Sequence, residues 1–114
     1  WIIISRPIEE KTIDVKFKVG DKFGIGFKNE EELDFGILIP GSSATRKVIL
    51  RNDYNFPVKI KVFATDEIAD FLSLEHEYSV SEGEKISMPV ILNVPKNIGL
   101  GDYSGKIVFK IFKA

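Results

Sequence analysis

The chain contains no cysteine. That removes disulfides, thiolate metal sites and thiol nucleophiles together, and leaves the compartment open. It has one histidine, His76. Zinc sites without cysteine usually need two or three histidines, so a zinc centre or histidine-based catalysis has only this residue to run through. Charge of one sign is missing too. Sixteen Lys and Arg stand against seventeen Asp and Glu, a net charge of −1, and such a chain has no global field to attract nucleic acid or anionic lipid. No apolar run reaches the ~20 residues of a membrane span. No Asn-x-Ser/Thr sequon follows any asparagine, so glycosylation of the common kind is not expected. The sequence opens at Trp1 without an initiator Met, which points to a processed chain or a fragment.

What is present is alternation. At 114 residues the chain is one domain's length, and about two-thirds of its unfolded surface can be buried without staples. In TIDVKFKVG, Ile13, Val15, Phe17 and Val19 alternate with Asp14, Lys16 and Lys18, the pattern of a strand with one wet face. KFGIGFK repeats it with Phe23, Ile25 and Phe27. A charged turn, NEEE, then leads to an apolar run ending at Pro40-Gly41, a pair suited to the centre of a type II turn. SATRKVILRN places Ala44, Arg46, Val48 and Leu50 on one face and Thr45, Lys47, Ile49 and Arg51 on the other. FPVKIKVFAT follows with Val58, Ile60 and Val62 inward, and the two strands read as a hairpin.

TDEIADFLSL breaks the period. Thr65 or Asp66 can cap a short helical turn near 66–72, with Ile68, Phe71 and Leu72 on one side. Two more strands flank Ser81-Glu82-Gly83-Glu84. Pro89 lacks an N–H and marks the second of them as an edge or a bulge. DYSGKIVFKIFK is the last strand. The expectation is one all-β domain over 1–114, a β-sandwich of immunoglobulin-like type with seven to nine antiparallel strands in two sheets. WIIISRP at 1–6 and beyond reads either as an apolar first strand or as the interfacial end of an upstream membrane anchor.

From Phe35 to Phe112 the chain resembles the immunoglobulin-like accessory domains of archaeal and bacterial cell-surface proteins, similar in plan to major sperm protein and NEW3-type domains. The matching elements are Pro40-Gly41, Asn52, Gly83-Glu84, Val94-Pro95, Gly101, Tyr103 and Gly105. The resemblance implies a non-enzymatic structural or protein-interaction module, extracytoplasmic and membrane-anchored or cell-surface, with no catalytic, cofactor or metal residues to carry over. Its expected partner is a protein, either a surface-layer component or a second copy, and not nucleic acid. A membrane would be met only through an upstream anchor. The Lys-, Ile- and Phe-rich composition suits an archaeal source. The other reading is a module that binds carbohydrate or a cell-wall polymer.

Each chemical motif has a plainer reading beside it. Gly99-x-Gly101-x-x-x-Gly105 has the wrong spacing for a dinucleotide loop and precedes a strand pattern, so it reads as a turn. Glu30, Glu31, Glu32 and Asp34 offer clustered oxygens to a hard cation, but neighbours on extended chain point to opposite faces, and a solvated turn is the simpler account. Asp66, Glu67, Asp70, Glu75 and Glu77 could supply paired carboxylates, and His76 could form a triad with Asp70 and Ser73 or Ser79. No nucleophile elbow supports the triad. Tyr103 has the position of a tyrosine corner, its hydroxyl returning to a loop backbone. Trp1 and Tyr54 are candidate surface aromatics. In KIVFKIFKA one face is core; the other reads as a strand edge protected by its lysines or as a partner surface, with Val108, Lys110 and Phe112 the candidate contacts, and Tyr54 reads as a ring packed on the sandwich end or as a further contact.

Overall fold

A computed structural model describes residues 7–20 and 32–114. The first-strand and anchor readings at Trp1 to Arg6, the Phe23, Ile25 and Phe27 alternation, and Asn29 to Glu31 of the charged turn lie outside the described residues. The described chain forms β1 (Glu9–Val19), β2 (Glu32–Leu38), β3 (Ser43–Arg51), β4 (Val58–Thr65), a 3-10 turn (Glu67–Asp70), β5 (Leu72–Ser73), β6 (Glu77–Val80), β7 (Lys85–Asn93) and β8 (Gly101–Lys113). These make two sheets, β2-β1-β8-β4-β6 and β3-β7-β5. The fold is an all-β sandwich, as the alternation requires.

The same alternation builds the core. Val15, Phe17 and Val19 of β1, Ile60 and Val62 of β4, and Ile107 and Phe109 of β8 are buried against Met88, Val90 and Leu92 of β7. β8 is the long central strand, antiparallel to β1 on one side and to β4 on the other.

Three expectations change in the folded chain. β3 and β4 are not a hairpin, because they lie in opposite sheets. The segment between them holds Asn52, 2% exposed, whose Nδ2 lies 2.8 Å from the Phe56 carbonyl, 3.2 Å from Val80 and 3.1 Å from Ser81. Its Oδ1 accepts from Tyr54 N–H at 2.9 Å. A buried amide satisfied by four backbone groups holds the chain as it crosses from one layer to the other. β1 and β2 pair in parallel, with Asp14 opposite Glu32 and Val19 opposite Leu38, where an antiparallel pair was expected. Residues 20–31 separate them, about the dozen that a parallel return needs. The helical turn is 3-10, and its expected cap is not made. Asp66 has φ 64° and ψ −158° and gives no capping hydrogen bond. Thr65 instead donates its hydroxyl to Asp66 Oδ2 at 3.2 Å.

Pro89 has a specific explanation. Val94 N–H donates to Ser42 and Glu84 accepts from Asn52 N–H, so even-numbered β7 residues bond towards β3. Pro89 therefore turns its nitrogen to the other flank, where β5 pairs only Ile91 and Leu92. The missing donor faces a stretch with no described neighbour strand.

The turns follow their chemistry. Gly41 at φ 83° lies between Pro40 and Ser42, whose N–H donates to the Ile39 carbonyl at 3.2 Å, a type II turn. Gly105 is needed for space. A Cβ there would strike Ile68 Cγ2 and come within 2.7 Å of the Thr65 carbonyl. Ile68, fully buried, is how the 3-10 turn plugs its end of the core.

Candidate interaction surfaces

The outer face of the five-stranded sheet is built mainly by β8 and β4. On β8 the outward positions are Lys106, Val108, Lys110 and Phe112; on β4 they are Lys59, Lys61, Phe63 and Thr65. The register sets Val108 opposite Phe63, Lys110 opposite Lys61 and Phe112 opposite Lys59. Lys110 Nζ stands 5.4 Å from the Phe63 ring centre, and Lys61 Nζ 5.3 Å from that of Phe112. Each ring is thus roofed by an ammonium group, a cation–π arrangement that shields apolar surface while leaving positive charge outside. Glu10 and Asp14 flank the lysines on β1, opposite Lys110 and Lys106. On the far side, Glu77 lies 3.5 Å from Lys59. The face is an apolar and basic strip with acidic margins.

Three of the four residues singled out in the sequence, Val108, Lys110 and Phe112, meet on this face. Phe63, Lys59 and Lys61 belong with them and were not singled out. Their signal was in the text: Phe63 is an apolar residue at an outward position of an alternating strand.

Tyr54 is elsewhere. Its ring stacks on Phe56 at 5.1 Å and its hydroxyl donates to Glu9 Oε2 at 3.1 Å. That hydrogen bond, followed by desolvation and the carboxylate's charge, raises the phenol's pKa above its usual 10.0. With Ile111, which faces inward from β8, Tyr54 lines a cavity of about 300 Å³ between the start of β1 and the end of β3. This groove and the outer face lie on opposite sides of β8.

The remaining motifs are taken up locally. Tyr103 donates its hydroxyl to the Gly99 carbonyl at 2.7 Å, while its ring stacks on Phe17 at 5.1 Å. The glycine-rich stretch is thereby a turn braced by a tyrosine. Asp34 Oδ1 accepts from Gly36 N–H at 2.8 Å and its other oxygen lies 3.9 Å from Lys16. His76 is exposed, with Nδ1 2.9 Å from the Val62 carbonyl. A carbonyl only accepts, so Nδ1 carries the proton. Ser73 Oγ accepts from Asn93 at 3.2 Å, and Glu67 from Ser104 N–H at 3.3 Å; the His76 ring bonds to the Val62 carbonyl and not to Ser73, Ser79 or Asp70. Among the described residues no group of three His, Asp or Glu could hold a metal ion, and no helix is long and apolar enough to cross a membrane. No protein-family model, curated protein or solved structure matches the chain significantly.

Proposed function

We propose that the chain is a non-enzymatic structural or protein-interaction module, extracytoplasmic and carried on a cell surface, that meets a protein partner through the outer face of its five-stranded sheet. The observation that carries this reading is the strip of Phe63, Val108 and Phe112 among Lys59, Lys61 and Lys110. A solvated sheet face is ordinarily polar, whereas here Phe63 stands beside Val108, with Phe112 beyond the Lys61–Lys110 row, and grouped outward apolar residues mark contact surfaces. The cell-surface setting rests on the resemblance to immunoglobulin-like accessory domains. The strand order supports that resemblance. β3-β7-β5 has the spatial order B-E-D, and β4-β8-β1 the order C-F-G, of an immunoglobulin sandwich. In that correspondence the first described strand of the chain occupies the place of the last strand of the fold.

The test is a photo-crosslinking residue in place of Phe112, irradiated in the envelope of the source cell. Discrete protein adducts that Val108→Asp abolishes are the expected result. Absence of any protein adduct at this position would sink the proposal. Two phenylalanines on one face also suit a polymer-binding module. Glycan-array binding that disappears in Phe63→Ala and Phe112→Ala would favour that reading instead.

A further inference from the structure

We infer that the outer edge of β3 is an acceptor for an extended, acidic segment of a partner protein, which adds to the three-stranded sheet as a fourth strand beside β3. The direction of the backbone groups follows from two contacts at the strand's ends. Asn52 N–H donates to Glu84 and Asn52 accepts from Gly83, while Ser42 accepts from Val94. Even-numbered residues of β3 therefore bond to β7. Ser43, Thr45, Lys47, Ile49 and Arg51 turn their N–H and carbonyl groups the other way, where no described strand pairs with them. One of these groups is already covered, the Thr45 carbonyl, which accepts from Arg46 Nη1 at 3.1 Å. That leaves Lys47, Ile49 and Arg51 as the open length.

Beside this length the described part of the sandwich is open as well. Among the described residues β2 flanks β1 only from Asp14 to Val19, and the start of β1 borders a groove in front of β3. Its floor is Leu50, Ile60, Phe109 and Ile111. Side chains of an added strand alternate between this floor and solvent, and backbone pairing with alternate side-chain pockets is the mode of strand addition. Ile49, 57% exposed, is an apolar residue already standing on the outer side of this edge.

Charge selects the occupant. β3 carries Arg46, Lys47 and Arg51 and no acid, and Arg51 is ion-paired with Asp53 at 2.9 Å. Lys11 lines the groove opposite together with Glu9, whose carboxylate accepts from the Tyr54 hydroxyl, and neither Lys11 nor Lys47 has an ion-pair partner among the described residues. Arg46 Nε is buried with no hydrogen-bond acceptor. A second copy would bring Lys47 and Arg51 to the edge again, and like charges across a strand pair are unfavourable. A segment alternating apolar and carboxylate side chains meets both the floor and the cations.

The experiment is amide hydrogen exchange by NMR on the whole chain, titrated with a blocked peptide alternating glutamate and valine, and with its lysine–valine counterpart. The expected result is slowed exchange at Lys47, Ile49 and Arg51, with at least tenfold weaker binding of the lysine peptide. Ile49→Pro removes an outward N–H without touching the β7 ladder and should abolish the protection. If that variant unfolds, Lys47→Glu together with Arg51→Glu serves instead and should reverse the preference between the peptides. Equal binding of both peptides, no protection at the three amides, or protection before peptide is added, in a monomer or a dimer, would each overturn the proposal.

Discussion

The two halves of β1 carry one alternation into two environments. From Val15 to Val19 the inward side chains are Val15, Phe17 and Val19, each at most 2% exposed. From Glu9 to Ile13 they are Glu9, Lys11 and Ile13, and none is buried. Both halves pair with β8 throughout. The difference lies on the other flank, where β2 covers only the second half, and above it, where Phe71 and Tyr103 close on Phe17. One strand therefore belongs to the core at one end and lines a polar-rimmed groove at the other. Hydrogen-bonded pairing alone does not bury a strand; cover from the second layer does.

Substitutions should separate the halves by size of effect. Phe17→Ala removes a buried ring and its aromatic contacts, and should cost about 4 kcal/mol in urea denaturation. A loss below about 1 kcal/mol would mean that the sheltered half is not packed as described. Asn52→Ala should cost about 3 kcal/mol, because it strands the carbonyls of Val80 and Ser81 at the crossing beside the groove. That would show the open half to be specified by one buried amide more than by apolar area. Asp66→Gly acts on the plug of the sheltered half. Its φ and ψ fall where essentially only glycine is at ease, so the change should stabilise the fold by about 1 kcal/mol, read as a rise in Tm.

The Tyr54–Glu9 bond tests the open half through pH. The phenol's pKa is raised in the folded chain by its hydrogen bond to Glu9, so the bond's contribution is complete below the unfolded value of about 10 and is lost as pH rises through the folded value. Wild type and Tyr54→Phe should differ in stability by a constant amount up to about pH 10 and converge above it. A gap that widens with alkalinity would reverse the sign and remove the assignment. Lys11→Ala should change stability by less than about 0.5 kcal/mol, although its register on β1 matches that of Phe17.

Much of this was legible in the residues. Strict alternation separated the two faces of β1, β3, β4, β7 and β8, leaving open which face of β3 is inward, and the pairing of Pro40 with Gly41 named the turn. Tyr103, two residues before Gly105, announced its bond back to the loop. Val108, Lys110 and Phe112 were visible as a second face because they alternate with the inward Ile107, Phe109 and Ile111. Their neighbours Phe63, Lys59 and Lys61 were harder to see, since they come from β4 and join the strip only through register. The apparent hairpin of β3 and β4 misled for a related reason. A short connection between two strands looks the same whether the chain turns within a sheet or crosses to the other one. Here the deciding group is Asn52, whose acceptors are up to 29 residues away.

The sequence by itself determined the class of the fold and the face of each long strand, because period-two alternation is a local property that no distant contact can shift without turning every side chain over. Only the tertiary structure decided which strands are neighbours, that β2 runs parallel to β1, and that its described residues lie beside β1's second half. Those outcomes depend on contacts between residues far apart in the chain. Among the described residues they place β3 at the edge of its sheet and set Phe63 beside Val108 on the outer face of the other.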